Sequence, residues 1–255
     1  MPPPLFVCVL ILLVAVPRPW SVAGEPPRPA AKPRAFPLRA RQVPAGALPR
    51  PPSKLRFHHN VSLTVSLAVG TPPQNVTMVL DTGSELSWLL CATGRQGSAA
   101  AGAAAAMGES FRPRASATFA AVPCGSTQCS SRDLPAPPSC DGASRQCHVS
   151  LSYADGSASD GALATDVFAV GEAPPLRSAF GCMSTAYDSS PDGVATAGLL
   201  GMNRGTLSFV TQASTRRFSY CISDRDDAGV LLLGHSDLPF LPLNYTPLYQ
   251  PTLPL

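Results

Sequence analysis

The chain has 255 residues, enough for one or two domains with a sizeable core. It is 45% apolar and 14% charged, an ordinary balance for a globular protein. The formal charge of +3 hides a split: residues 18–56 carry nine Lys and Arg against one acid, Glu25, for a net +8, whereas from Phe57 onward ten basic residues face 15 acidic ones, for a net −5. An acidic body argues against nucleic-acid binding.

Leu5 to Val16 is a run of 12 apolar residues, followed by the small-residue stretch Ser21-Val22-Ala23. This pattern predicts a secretory signal peptide over residues 1–23, cleaved after Ala23. The run is too short for a membrane anchor, which needs roughly 20 residues, and no other segment could span a bilayer. Residues 24–56 are rich in Pro, Ala and Arg, and 14 of the 29 prolines fall in residues 1–56. That composition reads as an extended linker or a propeptide. As a propeptide, its basic character would suit the acidic body.

Order is expected from near Phe57. Val61, Leu63, Val65, Leu67 and Val69 alternate with smaller or polar residues, the period of a half-buried strand. Gly70-Thr71-Pro72-Pro73-Gln74 reads as a turn, and Val76 to Leu80 as the returning strand of a hairpin. Gly94 to Gly108 is low-complexity Ala and Gly, read as a surface insertion. Cys124 to Cys147 reads as a loop-rich region stapled by disulfides. Strand signals return at Cys147–Tyr153, Ala162–Val170, Ser178–Cys182 and Val230–Leu233, and a helix fits Leu207–Ala213. Short strands separated by Gly, Pro and Asp turns predict a mostly β domain.

An exported chain should oxidise its cysteines. Cys8 would leave with the leader, so the disulfide candidates are Cys91, Cys124, Cys129, Cys140, Cys147, Cys182 and Cys221. Seven is odd, which implies a cysteine without a partner in the chain, Cys221 or another. The spacings of Cys124, Cys129, Cys140 and Cys147 match no common zinc module, and no metal or other cofactor is expected. Sequons at Asn60, Asn75 and Asn244 mark glycosylation candidates and agree with export.

The chemistry-bearing segment is Val79-Leu80-Asp81-Thr82-Gly83-Ser84-Glu85-Leu86-Ser87-Trp88. A carboxylate directly after an apolar strand costs free energy unless it is hydrogen-bonded or functional. Gly83 permits a sharp turn that aims backbone N–H groups at it, and Thr82 and Ser84 supply hydroxyls. Read alone, Asp-Thr-Gly is also compatible with a plain hairpin turn. The wider context resembles pepsin-like aspartic proteases, specifically the plant nepenthesin-like branch. Gly70-Thr71-Pro72-Pro73-Gln74 matches the family's G-T-P-x-Q element. Leu151 to Ser157 is similar to the flap hairpin, with Tyr153 in the flap-tyrosine position. Ala197 to Met202 resembles the apolar-apolar-Gly element behind the catalytic loop. Phe180-Gly181-Cys182 and Phe218 to Cys221 resemble that branch as well.

The resemblance implies the N-terminal lobe of a bilobal β fold with short helices, covering residues 57–255, and aspartic endopeptidase activity on polypeptide substrates. It makes Asp81 the catalytic carboxylate of this lobe, supported by Thr82, Gly83, Ser84 and Trp88. Tyr153, Gly156 and Ser157 would face substrate from the flap. The family uses a second Asp as partner, and no second D-T-G or D-S-G occurs in the chain. The chain alone is therefore expected to be inactive, with its second lobe absent; a homodimer completing the site is disfavoured. The location implied is secreted or endomembrane: extracellular, cell wall or vacuole. Two other classes remain open. One is a non-catalytic pepsin-fold binding protein or truncated pseudoenzyme, similar to the plant xylanase inhibitors. The other is a serine or cysteine hydrolase using His58, His59, His148 or His235, which lacks a G-x-S-x-G element.

Overall fold

A computed structural model of the chain describes residues 7–12, 34–42, 61–92, 110–130, 134, 136–153, 158–170, 173–187, 196–215, 217–222 and 229–234. The predicted hairpin is its centre. β3 (Val61–Val69) and β4 (Gln74–Asp81) run antiparallel, with Val69 opposite Gln74 and Thr64 opposite Val79. Val65, Leu67 and Val69 are buried as their alternation requires. The turn between them is tied to a distant loop. The Thr71 N–H donates to Ser116 Oγ at 3.0 Å, and Gln74 exchanges two bonds with the Arg112 backbone, at 3.0 and 2.9 Å.

The other strands are β1 (Val7–Leu12), β2 (Arg34–Gln42), β5 (Trp88–Leu90), β6 (Ala120–Ala121), β7 (Ser139–Cys140), β8 (Cys147–Ser152), β9 (Ala158–Val170), β10 (Ala173–Tyr187), β11 (Gly198–Gly201), β12 (Arg217–Ile222) and β13 (Gly229–Leu233). They join one sheet in the order β1-β12-β13-β2-β3-β4-β11-β5-β10-β9-β8-β7, with β6 on β9. A further pairing of β3 with β9, at Ala68–Ala169 and Val69–Phe168, brings two distant parts of that order together. The mostly β expectation is met.

Two apolar clusters fill the interior. The larger holds Phe36, Val65, Met78, Phe111, Phe168, Phe180, Phe209 and Phe218, several of them in edge-on ring contacts. The smaller lies under the end of β8 and holds Leu86, Val149, Leu151, Leu163 and Leu207. The predicted helix forms as one turn, α1 (Phe209–Gln212), capped by Ser208, whose side chain accepts from the Thr211 N–H. Gln212 fastens it to β10 through bonds to the Ala179 N–H and carbonyl at 2.6 and 3.0 Å. Among the described residues no helix is long and apolar enough to cross a membrane.

Order starts earlier than the expected Phe57. Arg34–Gln42, whose composition reads as linker or propeptide, forms β2, with Phe36 and Leu38 buried in the larger cluster. A proline inside a strand normally argues against a central position, because it removes a ladder donor. β2 accommodates Pro37 by pairing in two halves: Arg34–Leu38 lie against β13 and Leu38–Gln42 against β3. Pro37 therefore faces only one partner strand. Val7–Leu12, within the expected leader, pairs with β12. The expected insertion at residues 94–108 lies outside the described residues.

The loop-rich region is stapled as expected, by Cys124–Cys140 and Cys129–Cys147, and Cys91–Cys182 joins β10 to the residue just after β5. In the unprocessed chain the expected unpaired cysteine is a correction. Cys221 is also disulfide-bonded, so it is not left over to bridge to an absent lobe. The odd count came from discarding Cys8, which the β1–β12 register sets opposite Cys221.

If β2 is a working part of the sheet, Phe36→Ala destabilises the protein by about 3–5 kcal/mol, whereas exposed Arg39→Ala changes stability by less than about 0.5 kcal/mol. Denaturant unfolding of the two variants checks this; equal, small effects would make residues 34–42 a dispensable leader segment.

Candidate active site

Asp81 ends β4, and its place is set by the strand beside it. β11 lies parallel to β4, with Leu200 next to Leu80 and Gly201 next to Asp81. The other edge of β11 runs antiparallel to β5. The link from β4 to β5, residues 82–87, must therefore arch across the end of β11. The approach is close: a Cβ on Gly201 would lie 2.6 Å from the Glu85 carbonyl oxygen, so only glycine fits. Hydrogen bonds stitch the arch to the chain beneath. Met202 N–H donates to the Asp81 carbonyl at 2.8 Å, Asn203 N–H to the Ser84 carbonyl at 3.1 Å, and Gly201 N–H to Ser87 Oγ at 3.0 Å.

The Asp81 side chain is half-buried and is held by its own loop. The Gly83 N–H donates to Oδ1 at 2.8 Å, and the Ser84 hydroxyl donates to Oδ2. One donor on each oxygen fixes the plane of the carboxylate. Gly83 and Ser84 thus meet Asp81 directly. Thr82 does not: it is exposed, and its hydroxyl makes no bond to Asp81.

Trp88 opens β5, and its Nε1–H donates to the Tyr153 hydroxyl at 2.7 Å. Tyr153 follows β8 immediately, and both rings pack on the smaller cluster with Leu86 and Leu207. The two aromatics named from sequence are therefore joined to each other and share a cluster with Leu86 of the loop that follows Asp81. Gly156 and Ser157 lie outside the described residues, as do Asn60 and Asn244. Asn75 is exposed on β4.

Sequence reasoning passed over Ser87, Gln212 and Glu85. Ser87 and Glu85 are buried polar residues among Leu86, Trp88 and Leu89, and that interruption of an apolar run was the available signal. For Gln212, distant in sequence from β10, no such signal exists.

The alternative chemistries find little support in the geometry. Cys124, Cys129, Cys140 and Cys147 are held in disulfides. His148 Nε2 lies 3.1 Å from Asp160 Oδ2, but the nearby Ser150 hydroxyl donates to Asp160 Oδ1 at 2.6 Å. The carboxylate stands between serine and histidine, the wrong order for a base-activated nucleophile. His58, His59 and His235 lie outside the described residues. A cavity of about 380 Å³ bordered by Phe119, His148, Leu163 and Ser184 includes no residue of the Asp81 loop.

Residues 63–235 match the family model described as Xylanase inhibitor N-terminal. The chain is 47% identical over 226 residues to aspartic proteinase PCS1 of Arabidopsis thaliana, covering 86% of this chain and 48% of that protein. It is 35% identical over 158 residues to aspartyl protease 37 of Oryza sativa subsp. japonica, covering 62% of this chain and 32% of the relative. It is 32% identical over 160 residues to aspartic proteinase nepenthesin-2 of Nepenthes gracilis, covering 62% and 33%. The chain thus spans about half the length of its curated relatives, or less. Together with the strand order around Asp81, these matches establish that the chain belongs to the nepenthesin-like branch of the pepsin-like aspartic proteases and carries the N-terminal lobe of that fold.

Proposed function

We propose that this lobe supplies one half of an aspartic endopeptidase site, with Asp81 as its catalytic carboxylate. The observation that carries the reading is the Asp81 carboxylate fixed by Gly83 and Ser84, beside the Trp88–Tyr153 pair. A fixed, half-exposed carboxylate suits proton transfer to and from water. The reaction needs a second carboxylate, which these residues do not supply in a matching motif. In the complete site the two groups share one proton, because both do not readily ionise at close range. The ionised member takes a proton from water as its oxygen attacks the scissile carbonyl carbon. The protonated member donates to the carbonyl oxygen, and the amine then leaves with a proton returned from the pair. Apparent pKa values would belong to the pair.

The substrate class is polypeptide, in keeping with the protease relatives. The disulfides support an oxidising compartment, and we read residues 1–23 as a signal peptide. That reading takes β1 and Cys8 away on export, so Cys221 loses the residue opposite it in the β1–β12 register, and it predicts a transported protein whose N-terminus begins no earlier than Gly24. Sequencing the N-terminus of the protein from its native source checks this; a chain retaining Val7–Leu12 would contradict it.

A second reading, a non-catalytic binding protein, draws on the inhibitor description of the matching family model. The two separate on one substitution in the complete gene product. Asp81→Asn should lower kcat for acid proteolysis by at least about 10²–10⁴-fold with folding intact, and the wild-type activity should be blocked by pepstatin. Full activity in Asp81→Asn would remove Asp81 from the mechanism. No proteolysis by the wild-type protein would favour the binding reading.

A further inference from the structure

The arch over β11 carries a second carboxyl group that the mechanism above does not use. Glu85 is only 6% exposed. A carboxyl group at that depth is costly unless its oxygens find donors. Glu85 Oε1 accepts from the Leu207 N–H at 2.6 Å, which joins the arch to the chain that leads into α1. The seat for this side chain is cut by a missing side chain opposite. A Cβ on Gly205 would overlap the Glu85 carboxyl group, so residue 205 must be glycine while Glu85 stays where it is.

The segment under Glu85 is itself shaped for the contact. The Gly205 N–H donates to Asn203 Oδ1 at 2.8 Å, which bends residues 203–205, and the Asn203 N–H holds the Ser84 carbonyl at 3.1 Å. The bonds that fasten residues 81–87 to residues 201–207 include four: Ser87 to Gly201, Asp81 to Met202, Ser84 to Asn203 and Glu85 to Leu207. The first three hold the near end of the segment. Glu85 alone among the four reaches its far end.

This matters for Asp81 because both donors on its carboxylate, Gly83 and Ser84, belong to the arch. Their aim is set by where the arch sits, and Glu85 directly follows Ser84. We infer that Glu85, seated against Gly205 and bonded to the Leu207 N–H, is a positioning residue that keeps the Gly83 and Ser84 donors on Asp81. Its effect on catalysis rests on the protease reading above; its effect on the loop does not. A carboxyl group accepts a hydrogen bond in either protonation state, and so does the amide oxygen of glutamine. Glu85→Gln therefore keeps the acceptor and its size, whereas Glu85→Ala removes both. Gly205→Ala displaces the intact glutamate, and so should reproduce Glu85→Ala without touching residue 85.

The test uses the complete protein with Glu85→Ala, Glu85→Gln, Gly205→Ala and the Glu85→Ala/Gly205→Ala double variant. Two quantities are read: kcat and KM on a peptide substrate, and amide hydrogen exchange at Gly83, Asn203 and Leu207, whose N–H groups bond Asp81, the Ser84 carbonyl and Glu85. Misplacing a catalytic group by about 1 Å can cost on the order of 100-fold, so Glu85→Ala and Gly205→Ala are each expected to lower kcat by about 10–100-fold with KM within about threefold. Exchange at the three amides should quicken in both. Glu85→Gln should restore kcat to within about fivefold of wild type, and the double variant should be no worse than Gly205→Ala, because the two changes break one contact. The inference is overturned if Glu85→Ala leaves exchange at Gly83 and Asn203 unchanged, if glutamine fails to rescue a folded protein, or if the two substitutions add. Should the wild-type protein prove non-proteolytic, exchange alone decides: quickened exchange supports the clamp while the protease reading fails, and unchanged exchange overturns the clamp.

Discussion

The insertion of β11 between β4 and β5 is the constraint from which the site follows. Two strands that adjoin in sequence would ordinarily pair as a hairpin. Here a strand from more than a hundred residues later separates them, parallel to one and antiparallel to the other. The connecting residues 82–87 are forced into an arch over Gly201, and the arch turns Asp81, Gly83 and Ser84 toward one another. The cost of such a crossing is closing a long loop before β11 can pair. It is offset by burial: Leu89, Leu200 and Met78, from the three strands concerned, share the larger apolar cluster.

The same crossing explains why so many buried polar groups gather here. An arch has no ladder partner along its length, so its backbone groups need other acceptors and donors. Ser87 Oγ receives the Gly201 N–H, and the Ser84 carbonyl receives the Asn203 N–H. After the arch, Trp88 and Tyr153 join β5 to the end of β8 through one hydrogen bond and a shared apolar cluster. Beside it, the Cys91–Cys182 disulfide reinforces the parallel pairing of β5 with β10. The loop that carries the carboxylate thus leads into elements whose own cores are apolar.

How legible this was from sequence varied with the physical signal. The β3–β4 hairpin was plain, because Val61 to Val69 alternates strictly and Gly70 to Gln74 carries turn chemistry. Asp81 was singled out by its motif, and Trp88 and Tyr153 by their order along the chain; the hydrogen bond between the two aromatics was not legible, since nothing in sequence links residues 65 apart. β2 was hidden by Pro37, whose tolerance depends on a split pairing that only tertiary structure reveals. β5 and β11 are three and four residues long, too short for any periodic signal. The hydroxyl of Thr82 was expected at the carboxylate alongside that of Ser84. The turn at Gly83 brings residue 84 back to Asp81 and leaves residue 82 outside.

The most direct test of the account is a crystal structure of the complete protein with a peptide analogue carrying a tetrahedral hydroxyl in place of the scissile carbonyl. The account predicts the analogue hydroxyl within about 3 Å of an Asp81 carboxylate oxygen. An analogue bound away from Asp81, with the Gly83–Asp81–Ser84 arrangement untouched, would contradict it.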